Sequence, residues 1–334
     1  MLAWAIALCA VAQGSAGATL GIDGSRFTIG GRPAFLLGIS YYGGLGATDS
    51  ILMRDLDTMR RLGFNWLRVW ATWSYRGVDV SAVDTEGRPR EPYLSRLRRL
   101  VAESDRRGLI VDVTLTRVGA EQGGGVRTLE AHETAVRTLI AALGDRRNWY
   151  LDLANERDVG DARFVPTPEV RRLRDLALKL APWLIVTASF GGRDLGERDV
   201  REALVDARLD FLAPHRPRHA RSPGETERHT RDCLAAMQRI GRVAPVHYQE
   251  PFRRGYDEWE PSAADFLTDL AGAVRGGAAG WCLHNGGERR REDGRPWRSF
   301  DLRERGLFAQ LDAEETAVVE RAAATVRAVA REGR

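Results

Sequence analysis

Two glutamates, far apart in the chain, each close a short apolar run. Tyr150-Leu-Asp-Leu-Ala-Asn-Glu-Arg157 begins with the pattern of a buried strand and breaks off at Asn155-Glu156, an amide and a carboxylic acid where a strand would meet solvent. Further on, Ala244-Pro-Val-His-Tyr-Gln-Glu250 does the same. Either glutamate alone reads as a surface acid at a strand end. Two carboxylates brought together from two strand ends can cleave a glycosidic bond, one donating a proton and the other attacking or activating water. Whether they meet depends on the elements that carry them.

Those elements alternate. Strand-like runs at 34–39, 64–70, 109–115, 150–154, 183–189, 209–213, 244–250 and 278–283 are separated by amphipathic segments with helical spacing. Helices are expected from Asp49 or Ser50 to Leu62, from Tyr93 to Arg107, from Val126 to Leu143 and from Pro166 to Leu180. Further ones are expected near 198–206, at 224–240 and 261–275, and from Ala313 to Arg331. Strict β-then-α alternation implies a parallel sheet with helical crossovers, and eight such units close into a (β/α)8 TIM barrel. Ahead of the barrel, Arg26 to Pro33 alternates about Gly30-Gly31, which predicts a short N-terminal β-hairpin. No linker, composition shift or repeat divides the chain, so residues 19–334 read as a single α/β domain.

In such a barrel the C-terminal strand ends face the active-site mouth. The polar residues at those ends are Tyr41 and Tyr42 on the first strand, Arg68 and Trp70 on the second, and Thr116 and Arg117 on the third. The fourth gives Asn155 and Glu156, the fifth Ser189, and the sixth His215 and Arg216. The seventh gives His247, Tyr248 and Glu250, and the eighth Trp281, His284 and Asn285. The chain has four Asn and six His, and two of the Asn and three of the His fall at these ends. Trp70, Trp73 and Trp281 could stack on sugar rings.

The strands resemble the retaining glycoside hydrolases of the large (β/α)8 clan that includes cellulases and mannanases. The resemblance is carried by Asn65-Trp-Leu-Arg68, Ala154-Asn155-Glu156, His215 and Glu250, over about residues 27–310. It implies Glu156 as general acid/base, Glu250 as nucleophile, Asn155 as donor to the sugar 2-hydroxyl, and Arg68 paired with the nucleophile. It implies a β-linked poly- or oligosaccharide substrate and double displacement. The physics agrees: a guanidinium favours an ionised nucleophile, and a second carboxylate should raise the acid's pKa toward neutrality. Arg68, Trp70, Asn155, His215, Tyr248, Trp281 and His284 form the expected substrate-binding set. The chain departs from the family at three ends: Thr116-Arg117 replaces the usual His, Arg216-Pro217-Arg218 replaces the aromatic after His215, and His284-Asn285 replaces the terminal Trp. An Arg-rich rim suits acidic or substituted sugars, because Arg pairs bidentately with carboxylates.

Other readings are weaker. A barrel that binds carbohydrate without cleaving it would not need both glutamates. A metal hydrolase built on His215, His247 and His284 would show His-x-His on a strand, and none occurs. There is no Gly-x-Ser-x-Gly nucleophile motif, and Gly123–Gly125 lacks the dinucleotide context. Lys179, the only lysine, sits in a helical pattern and leaves no other Schiff-base candidate. The two-carboxylate reading calls for no cofactor and no metal.

Composition frames these readings. The hydrophobic fraction is 43%, ordinary for a globular protein, and the net charge is only +4 on a mixed-charge surface, which is no nucleic-acid footprint. Residues 1–18 are uncharged and apolar and end in Ala16-Gly17-Ala18, which reads as a secretory signal peptide. The mature chain is then expected to be secreted or periplasmic, monomeric and free of stable membrane association. Cys9 would leave with the leader, and Cys233 and Cys282 are expected as buried thiols.

Overall fold

The computed structural model describes residues 17–115, 125–159 and 163–332. Most of the expected leader, Cys9, and the rim residues Thr116 and Arg117 lie outside them. The chain opens with three antiparallel strands, β1 (Leu20–Asp23), β2 (Arg26–Ile29) and β3 (Arg32–Ala34). The expected hairpin joins β2 to β3, with Gly30 and Gly31 both at positive φ (58° and 75°), the conformation that a two-residue turn of this hand requires. β1 adds a strand that the Gly30-Gly31 signal did not announce.

The barrel follows as β4 (Leu36–Ser40), β5 (Trp66–Trp70), β8 (Ile110–Thr114), β9 (Trp149–Asp152), β10 (Val186–Thr187), β11 (His247–Tyr248) and β12 (Gly280–Leu283). A small hairpin, β6 (Ser74–Tyr75) and β7 (Val78–Asp79), interrupts the loop after β5. The seven barrel strands pair in parallel in the order β10-β9-β8-β5-β4-β12-β11. The sixth expected run closes the ring without forming a regular strand. On one side Asp210 N donates to Val186 O (3.0 Å) and Phe190 N to Ala213 O (3.1 Å); on the other, Leu212 N donates to Pro245 O (2.9 Å) and His247 N to Leu212 O (2.9 Å). Pro214 and Pro245 have no amide proton, so this ladder breaks into single bridges.

The helical shell is α1 (Asp49–Arg61), α2 (Tyr93–Arg106), α3 (Leu129–Leu143), α4 (Thr167–Leu180), α5 (Glu197–Arg201), α6 (Ser222–Arg239), α7 (Ala263–Gly276) and α8 (Ala313–Glu332). Two starts differ from expectation. Thr48, not Asp49 or Ser50, caps α1 by accepting from Ile51 N, and Thr128 caps α3, which begins at Leu129 instead of Val126. Near residue 202, α5 widens into a π-helical turn (Glu202–Asp206).

Side-chain alternation divides the core in two. Odd-numbered positions on β5 and β8, such as Leu67, Val69, Val111 and Val113, pack outward against the helices. The even positions point into the barrel, where Leu36, Trp66, Ile110, Tyr150 and Phe211 form a floor. The N-terminal hairpin covers that floor with Phe27, set edge-on to Phe211 (centroids 5.1 Å) and fully buried. Ala18 also packs there, and its amide donates to Asp105 (2.7 Å), so the folded unit reaches back into the end of the expected leader. Among the described residues no helix is long and apolar enough to cross a membrane, and Cys233 and Cys282 are buried free thiols.

Candidate active site

Arg68 is the hub of the mouth. An inward residue of β5 with no solvent exposure, it needs anions around it, and five polar groups surround its guanidinium. Nη1 donates to Glu250 Oε1 (2.7 Å), Nη2 to Asp152 Oδ2 (2.9 Å) and Asn155 Oδ1 (2.9 Å), and Nε to Thr114 Oγ1 (2.9 Å). Asp112 Oδ2 lies 3.3 Å from Nε. Arg68 thus ties β5, β8, β9 and the end of β11 together and fixes Asn155 beside Glu156. Burial pushes the Asp112 carboxyl up to about 7; Arg68 opposes that and Asp152 adds to it. Gln249 Nε2 (2.6 Å) and the Tyr150 hydroxyl (3.0 Å) donate to Asp112, linking the mouth to the floor.

Glu250 follows β11 and bridges to His215 on the sixth run. Its Oε1 takes the Arg68 bond; its Oε2 lies 2.9 Å from His284 Nε2, 3.3 Å from Arg218 Nη2 and 3.6 Å from His215 Nδ1. Burial would raise the carboxyl, but His215, His284 and Arg68 outweigh it and hold its pKa well below the ordinary glutamate value. Burial, helped by the Arg253 cation, keeps the His284 pKa well below normal. His284 Nε2 lies between Glu250 Oε2 and Arg253 Nη2, with the Tyr42 hydroxyl at its other nitrogen (2.7 Å). An ionised, oriented carboxylate is what a nucleophile requires.

Glu156 sits two residues past Ala154 in a left-handed backbone conformation (φ 49°). Ser189 Oγ accepts its amide proton (3.0 Å), and Arg157 N donates to Ser189 O (3.0 Å), so the fifth strand end locks this turn. His215 Nδ1 lies 3.1 Å from Glu156 Oε1. One oxygen of Glu156, one nitrogen of His215 and one oxygen of Glu250 all lie within 4.8 Å of one another. The expectation that the neighbouring carboxylate raises the acid's pKa fails for the open cleft. Burial and Glu250 do push it up, but the His215 bond, the His215 charge and Arg218 win, and Glu156 lies below its ordinary value.

Of the expected substrate-binding residues, Arg68, Asn155, His215 and His284 gather around the two glutamates. Trp70 is there too, but buried: its ring stacks on Tyr42 (centroids 4.4 Å) and faces the Arg68 guanidinium (4.7 Å). Tyr248 and Trp281 do not reach the mouth. Strand alternation sends them outward, where the Tyr248 hydroxyl meets Thr230 of α6 (2.7 Å) and Trp281 Nε1 donates to Asp269 of α7 (2.6 Å). His247 points inward but lies at floor level against Trp66, Phe27 and Phe211, so His215, His247 and His284 form no single cluster. Beside the mouth Tyr42, Trp70, Trp297 and Phe300 form a buried aromatic cluster, and the exposed aromatic area comes from half-buried Trp73, Tyr75 and Tyr256 packed on it. Tyr256, Trp297 and Phe300 lie on loops with no strand pattern to flag them. Asp112 and Asp152 did carry a signal, since an Asp inside an apolar strand requires a buried cation.

No family model and no curated protein matches the sequence. Solved structures do match. An endo-1,4-β-mannanase from Rhizomucor miehei superposes with a TM-score of 0.62 at 14% identity, covering 94% of this chain and 99% of that one. A glycoside hydrolase family 5 mannosidase from the same organism gives 0.62 at 18%, covering 95% and 99%. A glycoside hydrolase family 5 protein from Bacteroides vulgatus gives 0.65 at 15%, covering 87% and 67%. At these identities the likeness is one of architecture: the chain has the (β/α)8 barrel fold of family 5 glycoside hydrolases, with the end of β9 and the end of β11 opening into its mouth.

Proposed function

We propose that the protein is a retaining glycoside hydrolase that cleaves a β-linked oligo- or polysaccharide with Glu156 and Glu250. The observation that carries this reading is the pair itself: two carboxylates on two strand ends, each within reach of His215, one kept ionised by Arg68. In retaining enzymes the carboxyl groups stand roughly 5–5.5 Å apart. In the first step Glu250 attacks the anomeric carbon and the bond to the leaving oxygen breaks as Glu156 donates its proton to that oxygen. In the second, Glu156 takes a proton from water, whose oxygen displaces Glu250 and restores both carboxyls. Asn155, oriented by Arg68, faces the sugar's hydroxyls, and the low pKa of the free Glu250 carboxyl keeps the nucleophile ionised until it attacks. Glu156 must gain its proton as substrate displaces water and loosens the His215 bond. The family 5 likeness and the half-buried rings of Trp73, Tyr75 and Tyr256 support a carbohydrate ligand.

The test is an aryl glycoside panel with Glu250→Ala, Glu156→Ala and added azide. Rescue of Glu250→Ala as a glycosyl azide of inverted configuration assigns the nucleophile. If wild-type protein turns over no member yet binds sugars, the barrel binds carbohydrate without cleaving it. Export belongs to the same reading: residues 1–18 fused to a reporter should carry it across the membrane, and cytoplasmic retention would reject that part.

A further inference from the structure

Cleavage by two glutamates leaves two guanidinium groups at the mouth unexplained. Arg218 comes from the loop before α6, and Arg253 stands three residues after Glu250 in the loop that follows β11. Their side chains are 16% and 8% exposed. Among the described residues each has one carboxylate partner, and it is the same one: Glu250 Oε2 lies 3.3 Å from Arg218 and 3.9 Å from Arg253. Arg68 already holds the other oxygen of Glu250 and has Asp112 and Asp152 besides. The Nε atoms of Arg218 and Arg253 are buried and have no acceptor. Arg253 Nη2 also meets the Tyr42 hydroxyl and His284 Nε2, both uncharged partners; the other neighbours are aromatic faces, Tyr256 under Arg218 (4.3 Å) and Tyr42, Phe300 and Tyr256 around Arg253 (5.1, 5.2 and 5.6 Å). Cation–π contact offsets only part of the cost of removing a cation from water.

The chemistry sharpens the problem. When Glu250 bonds to the anomeric carbon it becomes an ester and loses its charge. Arg68 keeps Asp112 and Asp152, whereas Arg253 then has no carboxylate partner and Arg218 keeps only the Glu156 carboxylate that proton donation has just freed, beside a sugar whose transition state is itself cationic. A neutral sugar makes that step worse, and a sugar carrying its own anion repairs it. Guanidinium forks match the paired oxygens of a carboxylate or sulfate. Resting on the hydrolase reading, we propose that the sugar held against Glu250 carries an anionic substituent, a hexuronate carboxylate or a sulfate ester, bound by Arg218 and Arg253.

Binding is tested before turnover, so that the two readings can fail separately. Tryptophan fluorescence of the full protein is titrated with D-glucuronate, D-galacturonate, D-mannuronate, D-glucose 6-sulfate and their neutral parents. The expected result is at least one anionic sugar bound about tenfold or more tightly than its parent, a preference that shrinks with added salt and is lost in Arg218→Gln and Arg253→Gln. Thermal unfolding verifies that these variants fold, and Arg253→Lys, which keeps the charge without the fork, should retain part of the preference. Tighter binding of the uronates over the sulfate, or the reverse, identifies the anion. The same ratio is then read as kcat/KM on aryl glycosides and aryl glycuronides. Turnover of neutral glycosides without a preference for anionic ones overturns this inference and leaves the hydrolase reading standing. Arg-dependent binding of an anionic sugar without any turnover does the opposite. A preference that survives both Gln variants assigns the anion to other residues and overturns the proposal.

Discussion

The barrel holds one histidine at its floor and two at its mouth, and the two levels handle them differently. At the floor His247 is enclosed by Trp66, Phe211 and Phe27; burial, with a smaller push from Arg68, takes it down to about 3, and the hydroxyl of Tyr150 is 3.3 Å from its Nδ1. At the mouth His215 stands between two glutamates and His284 between Glu250, Tyr42 and Arg253. The floor is a neutral, close-packed aromatic layer. The mouth is a charged lattice in which nearly every side chain is held by a group of opposite sign. One end of the barrel supplies stability and the other concentrates groups whose protonation matters, as expected where strand C-termini carry function.

Substitutions at the two levels should therefore separate. The largest effect is expected at the mouth: Glu250→Ala should reduce turnover about 10³-fold or more with unchanged circular dichroism. A loss below about tenfold would remove Glu250 from the chemistry. Arg68→Met joins the levels, because it strands Asp112, Asp152 and Glu250; it should cost about 3–5 kcal/mol in urea unfolding as well as activity. Phe27→Ala should cost a similar 3–5 kcal/mol, about the usual loss for a buried Phe, while kcat and KM of the folded fraction stay near wild type. A large KM change there would mean that floor and mouth are coupled.

The next effect is one of pH. Glu156 in the free site loses its proton below its ordinary value of 4.5, and in the proposed mechanism it can donate only when protonated. The fraction competent to donate falls as pH rises through that depressed value, so kcat/KM should decline from acidic toward neutral pH. Removing His215 removes the contact that depresses Glu156, and His215→Ala should move this limb to higher pH whatever its absolute rate. A limb that stays put would clear His215 of control over the acid. Smallest is Trp281→Phe, which loses the bond to Asp269 and should cost about 1 kcal/mol without changing KM; a KM change would contradict the outward orientation of Trp281.

Much of this was legible in the sequence, and the failures share a cause. Runs closed by Gly and Pro located the barrel elements to within a few residues, because alternation of strand and helix leaves few foldings. Asn155-Glu156 and Glu250 stood out as polar ends of apolar runs. Tyr248 and Trp281 were placed at the mouth because they lie near strand ends, yet their parity relative to His247, Gln249 and Cys282 turns them outward. Counting by twos along the strands from His247 and Cys282 separates them, whereas Glu250 lies past the end of β11 and no longer follows that alternation. Tyr256, Trp297 and Phe300 were not visible, since loops obey no period. The low pKa of Glu156 was not readable either: one imidazole at 3.1 Å reverses the sign expected from carboxylate proximity.

The backbone of Glu156 carries a consequence of its own. A left-handed φ of 49° is a conformation that a side-chain-bearing residue adopts at a cost, of order 1–3 kcal/mol. Ser189, Asn155 and Arg157 hold it there. Selection for folding alone would put glycine at this position. Glu156→Gly should accordingly unfold at a higher temperature than Glu156→Ala, and even above the parent, while being inert. On the proposed reading the chain keeps its proton donor against its own conformational preference, and drift that relaxed the demand for activity would leave its first trace at this turn.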